Sequence, residues 1–258
     1  MFIDSHAHLT GHTVIDHVEE MLERAKMHQV KAIVNVCTDQ NSLEKGIALA
    51  KRHRSIFNAA AATPHDVETI GDTFFPIVSK LAREGGLYAI GETGLDYHYE
   101  HSPKELQKKH LHQYLELAVE THLPVIFHCR EAFEDLFQAS HGKKFGAVLH
   151  CFTGTLEEAR GCLDRGWYVS MSGIVTFKNS TDLRDVAKYV PLYRLLIETD
   201  TPYLAPQTKR GKMNEPAFVV ETAQVIAQVK GLTLEEVGDA TFRNAAQFFS
   251  FPKHIIDV

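Results

Sequence analysis

The sequence predicts an α/β protein, a (β/α)8 TIM barrel followed by one additional C-terminal helix. Short apolar runs alternate with amphipathic segments along the 258 residues, and several of these runs end in a histidine or a carboxylate. Parallel strands that are buried on both faces have this apolar character. A parallel barrel also gathers the C-terminal ends of its strands at one mouth, so ligands far apart in the sequence would meet there.

Eight apolar segments rich in valine, isoleucine and aromatic residues are the predicted strands. They comprise residues 1–8, 31–38, 55–63, 87–96, 124–129, 146–152, 167–173 and 195–200. An open doubly wound sheet would show the same alternation of strands and helices. Eight strand–helix repeats in about 250 residues favour closure into a barrel. Because no low-complexity linker interrupts the chain, we expect one domain over residues 1–258.

The predicted helices begin at recognisable capping residues. Ser102, followed by Pro103 and a glutamate, is expected to cap the helix after the fourth strand. Thr155 and Thr233 each stand three residues before a glutamate, which is the capping-box pattern. The second of these boxes begins the additional helix, which we expect at about residues 233–249.

The composition restricts the class of protein and its location. The net charge of −6 argues against a protein that coats nucleic acid nonspecifically. No apolar stretch approaches the roughly 18 residues of a membrane span, and the N-terminus has no secretory signal pattern. The four cysteines lack CxxC spacing, so we expect a reducing cytoplasm and no disulfide framework. Neither a membrane nor an obligate protein partner is expected.

A histidine pair ends the first predicted strand. His6 and His8 are two residues apart, so their side chains point to the same side of a strand and could bind one metal ion. An isolated HxH is more often a pair of surface histidines. Asp4 and Ser5 are expected to orient the two imidazoles.

The fourth predicted strand carries a glutamate between two glycines. A carboxylate in an apolar strand is costly unless it is paired or bound to metal, so Glu92 is a candidate ligand. A salt bridge to Arg130 is the alternative. Gly91 and Gly94 would let the backbone turn and let a ligand approach closely. Asp96, on the same loop, is expected to contact substrate.

The fifth and sixth strands each end in a histidine followed by a cysteine. His128 and His150 occupy matching positions, and together with the HxH pair they favour metal binding over buried structural histidines. Cys129 and Cys151 should face the helices as small buried hydrophobes, because side chains alternate along a strand.

The eighth strand and the loop after it complete the candidate site. Asp200 could ligate a metal ion and accept a proton from water, or it could simply cap the next turn. Glu198 is expected to orient other groups from deeper in the barrel. Lys209 and Arg210 lie where this fold often binds phosphate, although such a charge run is usually a solvated surface.

The chain resembles the TatD-type metal-dependent hydrolases of the amidohydrolase superfamily over essentially its whole length. The resemblance rests on six motifs in the family's order and spacing: FIDSHAHL, GETGLDY, PVIFHCREAFED, LHCFTG, IETDTP and RGKMNEPAFV. Three positions depart from the family pattern: Thr10, Thr63 and Thr201. Thr63 stands where a histidine that faces the active site is usual, whereas His65 is retained. This departure concerns substrate contacts and not the predicted ligands.

The resemblance implies a centre of two divalent ions, with Mg²⁺, Mn²⁺ and Zn²⁺ as candidates. One ion would be bound by His6, His8 and Asp200. The other would be bound by His128 and His150, and both ions would share Glu92. The resemblance also implies deoxyribonuclease activity, often from the 3′ end of single strands, with Glu92 and Asp200 as the catalytic carboxylates.

The predicted mechanism is phosphodiester hydrolysis by a water that two metal ions activate. Asp200 would accept the proton of that water. Arg210 and Lys209 would offset charge on the phosphate, and His65 and Asp96 would contact the DNA substrate. A hydrolase of small amides, lactones or phosphoesters is the alternative enzyme, because the same metals serve that chemistry. A non-enzymatic binding subunit with structural metals is the remaining alternative.

Overall fold

The structure is a computed structural model that describes residues 1–256, and it confirms the predicted barrel. Eight parallel strands follow one another around the sheet in sequence order. The strands are β1 (Phe2–Ala7), β2 (Val30–Cys37), β3 (Ile56–Ala60), β4 (Ala89–Asp96), β5 (Val125–Arg130), β6 (Ala147–Leu149), β7 (Tyr168–Met171) and β8 (Leu195–Ile197).

Ten α-helices surround and follow the strands within the described residues. They are α1 (Val18–Met27), α2 (Gln40–Arg52), α3 (Val67–Arg83), α4 (Lys104–Thr121), α5 (Phe133–Ser140), α6 (Leu156–Asp164), α7 (Thr181–Tyr189), α8 (Val219–Lys230), α9 (Leu234–Phe248) and α10 (Lys253–Ile256). The additional helix expected near residues 233–249 is α9. None of the helices in residues 1–256 is both long and apolar enough to cross a membrane.

The first and last strands meet at their C-terminal ends. Ala7 forms a parallel bridge with Thr201 just beyond β8. The backbone N–H of His8 donates to the carbonyl of Thr201 at 2.8 Å, and that of Asp200 donates to the carbonyl of His6 at 2.9 Å. These contacts bring the end of β1 and the segment after β8 together, although they are far apart in the sequence.

Two apolar cores hold the barrel together. The inner core takes buried side chains from every strand, among them Ile3, Val34, Phe57, Ala89, Ile126, Val148, Tyr168 and Leu196. Phe249 and Phe251, from the segment after α9, pack against this layer and close the N-terminal end of the barrel. The larger outer core lies between the sheet and its helices. With the N-terminal end closed, the C-terminal mouth is the end that carries the polar groups.

The helix caps agree with the sequence at two positions and disagree at one. The capping boxes at Thr155 and Thr233 are both present. The prediction for Ser102 is wrong, because α4 begins at Lys104 without a side-chain cap. The Ser102 hydroxyl instead donates to the carbonyl of His65 at 2.8 Å. It therefore ties the start of α4 to the loop after β3.

Two glycines allow β4 to approach β5 closely. Gly94 has a φ of +149°, and a Cβ there would lie 1.8 Å from the carbonyl oxygen of His128. Gly91 has a φ of +151°, and a Cβ there would lie 2.7 Å from the backbone oxygen of Ile126. The close approach expected at these glycines is therefore that of the neighbouring strand.

Candidate metal centre

The six predicted ligand side chains lie together at the C-terminal mouth of the barrel. Ile126 and Val148 belong to the inner core, and side chains alternate along a strand. His128 and His150 come two positions later and therefore also point into the barrel. Glu92 reaches the interior because the pairing of β4 with β5 shifts register around that residue.

Two of these side chains come from segments that follow a strand. β6 ends at Leu149 and β8 ends at Ile197, so the predicted strands that extend to residues 152 and 200 are too long. His150 directly follows β6. Asp200 lies three residues beyond β8 with a φ of +60°, a turn that carries its side chain to the end of β1.

One group of donor atoms combines the HxH pair with two carboxylates. The Nε2 atoms of His6 and His8 are 3.2 Å apart. Glu92 Oε2 lies 3.4 Å from the first and 3.7 Å from the second. Asp200 Oδ1 lies 3.7 Å and 3.4 Å from the same two nitrogens. Four donors thus converge on one small volume.

A second group shares the same glutamate through its other oxygen. Glu92 Oε1 lies 2.9 Å from His128 Nδ1 and 3.0 Å from His150 Nε2. The two ring nitrogens are 3.5 Å apart. The two oxygens of one carboxylate therefore face two separate pairs of imidazoles.

These separations fit divalent cations. Donor atoms arranged tetrahedrally at about 2.0–2.1 Å from an ion stand about 3.3 Å from one another. The ring nitrogens of His6 and His8, and those of His128 and His150, stand 3.2 Å and 3.5 Å apart. Imidazole nitrogens together with carboxylate oxygens are a donor set that zinc and other divalent ions accept. The residues present therefore fit a metal at either group.

Neighbouring groups hold the outward-facing ring nitrogens of three of the four histidines, whereas His6 Nδ1 has no hydrogen-bond partner among the described residues. His8 Nδ1 donates to a backbone carbonyl of β2 at 3.1 Å. Asp96 Oδ2 lies 2.8 Å from His128 Nε2, and Glu198 Oε1 lies 3.2 Å from His150 Nδ1. Such partners fix the tautomer, so that the other ring nitrogen offers its lone pair to a metal. Glu198 thus lies where the sequence analysis expected an orienting group.

Asp96 lies behind His128, in a buried position. It is only 1% exposed, and its Oδ1 accepts hydrogen bonds from the backbone N–H groups of His98 and Tyr99. Burial would raise the pKa of Asp96, but the hydrogen bonds from His128 and the backbone lower it to about 2. His65 lies nearby, with its Nε2 3.7 Å from Asp96 Oδ2.

The electrostatics of the cluster favour a cation. Burial would raise the pKa of Glu92, but the charge of His150 and the hydrogen bonds of His128 and His150 hold it well below its usual range. Burial would likewise lower the pKa of His150, but Glu92 and Glu198 raise it well above its usual value. Glu92 is therefore anionic at neutral pH, as a metal ligand must be.

The expectation that Asp4 and Ser5 orient the imidazoles is wrong. Asp4 accepts hydrogen bonds from the backbone N–H of Thr199 at 2.9 Å and from its hydroxyl at 2.6 Å. The Ser5 hydroxyl donates to the carbonyl of Ile197 at 3.0 Å. Both residues instead attach β1 to β8 and the segment after it, and so position the turn that carries Asp200.

The two cysteines that follow the ligand histidines behave differently from each other. Cys129 packs against the outer core as predicted, although it also borders the cavity at the mouth. Cys151 has a φ of +43° and lies beyond the end of β6, with its Sγ 3.2 Å from the hydroxyl of Ser172. It also borders the cavity, so the prediction that it faces the helices is wrong.

The predicted cationic loop lies outside the cavity lining. Lys209 is 3.6 Å from Glu221 and lies over the ring of Phe218. The guanidinium of Arg210 lies 4.7 Å from the ring centre of Phe177. Substrate binding by Lys209 and Arg210 stays a prediction, and neither side chain borders the cavity at the centre.

A cavity of about 500 Å³ lies directly over the donor atoms. Glu92, His128 and Asp200 are at its floor, and His65 and Thr63 border it. Thr63 donates its hydroxyl to Asp66 at 2.9 Å.

A cationic side chain for which the sequence predicted no substrate role also borders the cavity. Arg130 borders it, and the proposed salt bridge of this residue to Glu92 is absent from the described residues. The guanidinium instead lies 4.7 Å from the ring centre of Tyr99. The sequence does contain a signal for the position of Arg130 at the cavity: it comes two residues after His128 and therefore lies on the same face of the strand.

The barrel and its histidine–carboxylate cluster define a metal-dependent hydrolase, and comparison with known proteins identifies its family. Residues 3–250 match the family model described as TatD related DNase. The chain belongs to the TatD family.

Individual relatives cover nearly all of the chain. YabD of Bacillus subtilis (strain 168), named an uncharacterized metal-dependent hydrolase, is 38% identical over 96% of this chain and 99% of its own length. TatD of Cronobacter sakazakii, named a 3′-5′ ssDNA/RNA exonuclease, is 35% identical over 90% of this chain and 91% of its own. The crystal structure of YjjV, a TatD homolog from Escherichia coli K12, has a TM-score of 0.90 and 27% identity, covering 97% and 98% of the two chains.

Proposed function

We propose that the protein is a deoxyribonuclease that removes nucleotides from the 3′ end of single-stranded DNA with the help of divalent metal ions. The observation that carries the proposal is the position of Glu92, whose two oxygens face two donor groups at the floor of a cavity. A shared carboxylate between two cations is suited to phosphodiester hydrolysis. The exonuclease name of the Cronobacter relative supports the same substrate.

The proposed centre holds two ions per chain. His6, His8 and Asp200 would bind one of them. His128 and His150 would bind the other, and Glu92 would bind both. When bound, the ions would lower the pKa of an attacking water and neutralise charge on the phosphate.

The residues of the chain supply the remaining functions. Asp200 directs Oδ1 at the HxH nitrogens, and its carboxylate accepts the proton of the attacking water. Asp96 and Glu198 keep His128 and His150 in the tautomers that leave their lone pairs for the metal. His65 borders the cavity beside this group and contacts the substrate.

Single strands or frayed ends suit the surface around the cavity. The net charge of −6 argues against extensive electrostatic binding of a long duplex. Tyr203 borders the cavity and is 60% exposed, so its ring is available for stacking by a base.

We also propose a cytoplasmic location and one domain over residues 1–258. The four free cysteines suit a reducing compartment.

A gel time-course on a 5′-labelled single-stranded DNA oligonucleotide tests this function. The protein is stripped with a chelator and reloaded with Mg²⁺, Mn²⁺ or Zn²⁺. Asp200→Asn is run beside it, with Asp164→Asn as a matched control at the far end of α6. We expect a ladder that shortens from the 3′ end, depends on metal and is absent only in Asp200→Asn.

A duplicate oligonucleotide with a blocked 3′ end separates exonuclease from endonuclease action. Cleavage of both oligonucleotides at internal positions would contradict the 3′ polarity. The absence of cleavage by fully metal-loaded protein would contradict the nuclease proposal itself. Turnover of small chromogenic esters under those conditions would favour the alternative, a hydrolase of small amides, lactones or phosphoesters.

A further inference from the structure

The cavity over the metal centre is bordered by several carboxylates and by a single arginine. Glu92, Asp200, Asp66 and Asp39 are all among its lining residues. Among the described lining residues, Arg130 is the one lysine or arginine. An anionic substrate that enters this cavity therefore meets one fixed positive side chain besides any bound metal.

The placement of Arg130 follows from the strand that carries it. Ile126 lies in the inner core, and the alternation of β5 brings His128 and then Arg130 to the same interior face. His128 contributes Nδ1 to a donor group of the candidate centre. Arg130 therefore lies two residues after a predicted metal ligand along β5, nearer to the mouth of the barrel from which substrate must enter.

The guanidinium of Arg130 has no charged partner within the described residues. No carboxylate lies within 4.0 Å of it, and the nearby carboxylate of Glu131 is bonded to His98 Nδ1 at 2.7 Å. Among the described residues Arg210 likewise has no carboxylate within 4.0 Å, so its position outside the cavity lining is what distinguishes it from Arg130. Lys209 is paired with Glu221, and as noted it lies outside the cavity lining.

An aromatic ring holds the arginine without occupying its donors. The guanidinium carbon lies 4.7 Å from the ring centre of Tyr99, and His101 stacks against the same ring at 5.4 Å. A cation–π contact of this kind does not use the N–H donors of a guanidinium. The N–H donors point outward in the plane of the group and stay free for an oxyanion.

We propose that Arg130 is a substrate-binding residue that holds an anionic phosphoryl oxygen of the molecule bound over the metal centre. Tyr99 acts as a positioning residue that keeps the guanidinium aimed at the cavity. This inference rests on the proposed phosphodiester hydrolysis, and it names the side chain that selects an anionic substrate over a neutral ester of the same size. It also assigns to Arg130 the role that the sequence analysis gave to Lys209 and Arg210.

Calorimetric titration of the Mn²⁺-loaded full-length protein with inorganic phosphate tests the assignment without requiring turnover. We expect Arg130→Gln to weaken phosphate binding by about tenfold or more, as the loss of a charge-assisted hydrogen bond does. Arg130→Lys should recover part of the loss, because it restores the charge without the planar fork. Tyr99→Leu should weaken binding, and Tyr99→Phe, which keeps the ring, should not.

The matched control is Arg165→Gln. Arg165 also lies over an aromatic ring, 4.0 Å from the centre of Phe137, but it lies outside the cavity lining. We expect this variant to bind phosphate as the unmodified protein does. Metal content, measured by elemental analysis, should be equal in all the variants. Reduced metal in Arg130→Gln would overturn the inference, because the effect would then be on the centre.

The remaining outcomes are equally decisive. Phosphate binding by Arg130→Gln within about twofold of the unmodified protein would refute the assignment, since a free-energy change that small is below that of one charged contact. Losses in Lys209→Gln or Arg210→Gln instead would return the role to that loop. If the oligonucleotide is not cleaved but Arg130→Gln still loses phosphate, the nuclease proposal fails and the anion site stands.

Discussion

Asp96 offers a sharp test of how the candidate centre is built. The sequence predicts that this residue contacts substrate, whereas in the structure its Oδ2 lies 2.8 Å from His128 Nε2. The two roles predict different kinetics for Asp96→Asn. A positioning role predicts weaker metal binding, and a substrate role predicts a higher KM at unchanged metal affinity.

The magnitude follows from the hydrogen bonds of the two carboxylate oxygens. Oδ1 accepts from the N–H groups of His98 and Tyr99, at 3.0 Å and 2.8 Å, and Oδ2 faces the imidazole of His128. An asparagine that keeps its oxygen toward the backbone presents an amide NH₂ to Nε2. The ring would then have to carry its proton on Nδ1, the nitrogen that faces the donor group. One charged hydrogen bond is lost, worth about 1.5–3 kcal/mol.

That energy corresponds to a metal dissociation constant raised by about tenfold to 150-fold. Competition with a chromophoric chelator measures this constant, and hydrolysis as a function of metal concentration gives kcat and KM at saturation. Asp135→Asn is the control, because Asp135 accepts hydrogen bonds from Tyr97 and Lys108 outside the cavity. Unchanged metal affinity in Asp96→Asn, together with a raised KM, would refute the positioning role.

Three further predictions concern the fold, the bridging carboxylate and the thiols. Gly94→Ala should lower the free energy of unfolding by about 3 kcal/mol in chemical denaturation, because the new Cβ would meet the backbone of β5. Gly146→Ala, whose Cβ would make ordinary contacts, should lower it by less than about 1 kcal/mol. Equal losses in the two variants would contradict the packing argument. Glu92→Gln should keep the fold, as measured by circular dichroism, but lose about one equivalent of bound metal and at least about 100-fold in the rate of hydrolysis, because an amide offers only one oxygen. Full activity of this variant would exclude a shared ligand. Burial raises the pKa of Cys37 to about 12 and the pKa values of the other three thiols in the same direction, so at pH 8 they are protonated and should react slowly with Ellman's reagent until the protein unfolds. Rapid titration of a thiol in the native protein would contradict this.

The barrel and the gathering of the six candidate ligands could be predicted from the sequence alone. Apolar runs and their polar ends are local patterns, and the geometry of a parallel barrel converts a position at a strand end into a position at the mouth. His128 and His150 needed only their matching positions in two strands. Thr155 and Thr233 needed only the residues within one helical turn of them.

The roles that depend on a neighbour far along the chain were decided by the tertiary structure. Asp4 and Ser5 were expected beside the imidazoles, but they form hydrogen bonds with backbone groups of β8 and the segment after it. Ser102 was expected to cap α4, but its hydroxyl donates a hydrogen bond to the carbonyl of His65. A polar side chain satisfies its hydrogen bonds with whichever group packing brings closest, and sequence spacing does not contain that information.

The charged residues of the site also divide into what the sequence determines and what the tertiary structure decides. Lys209 and Arg210 are cationic in the sequence, but Glu221 pairs with the first and the ring of Phe177 lies against the second. Arg130 also lies against a ring, that of Tyr99, but of these three cations it is the one that borders the cavity over the candidate metal centre. The sequence determined which ionisable groups exist and which strand ends carry them. Only the packing of distant segments decided which charges are paired and which remain available, because ion pairs depend on distances of a few ångströms between residues that the chain itself keeps far apart.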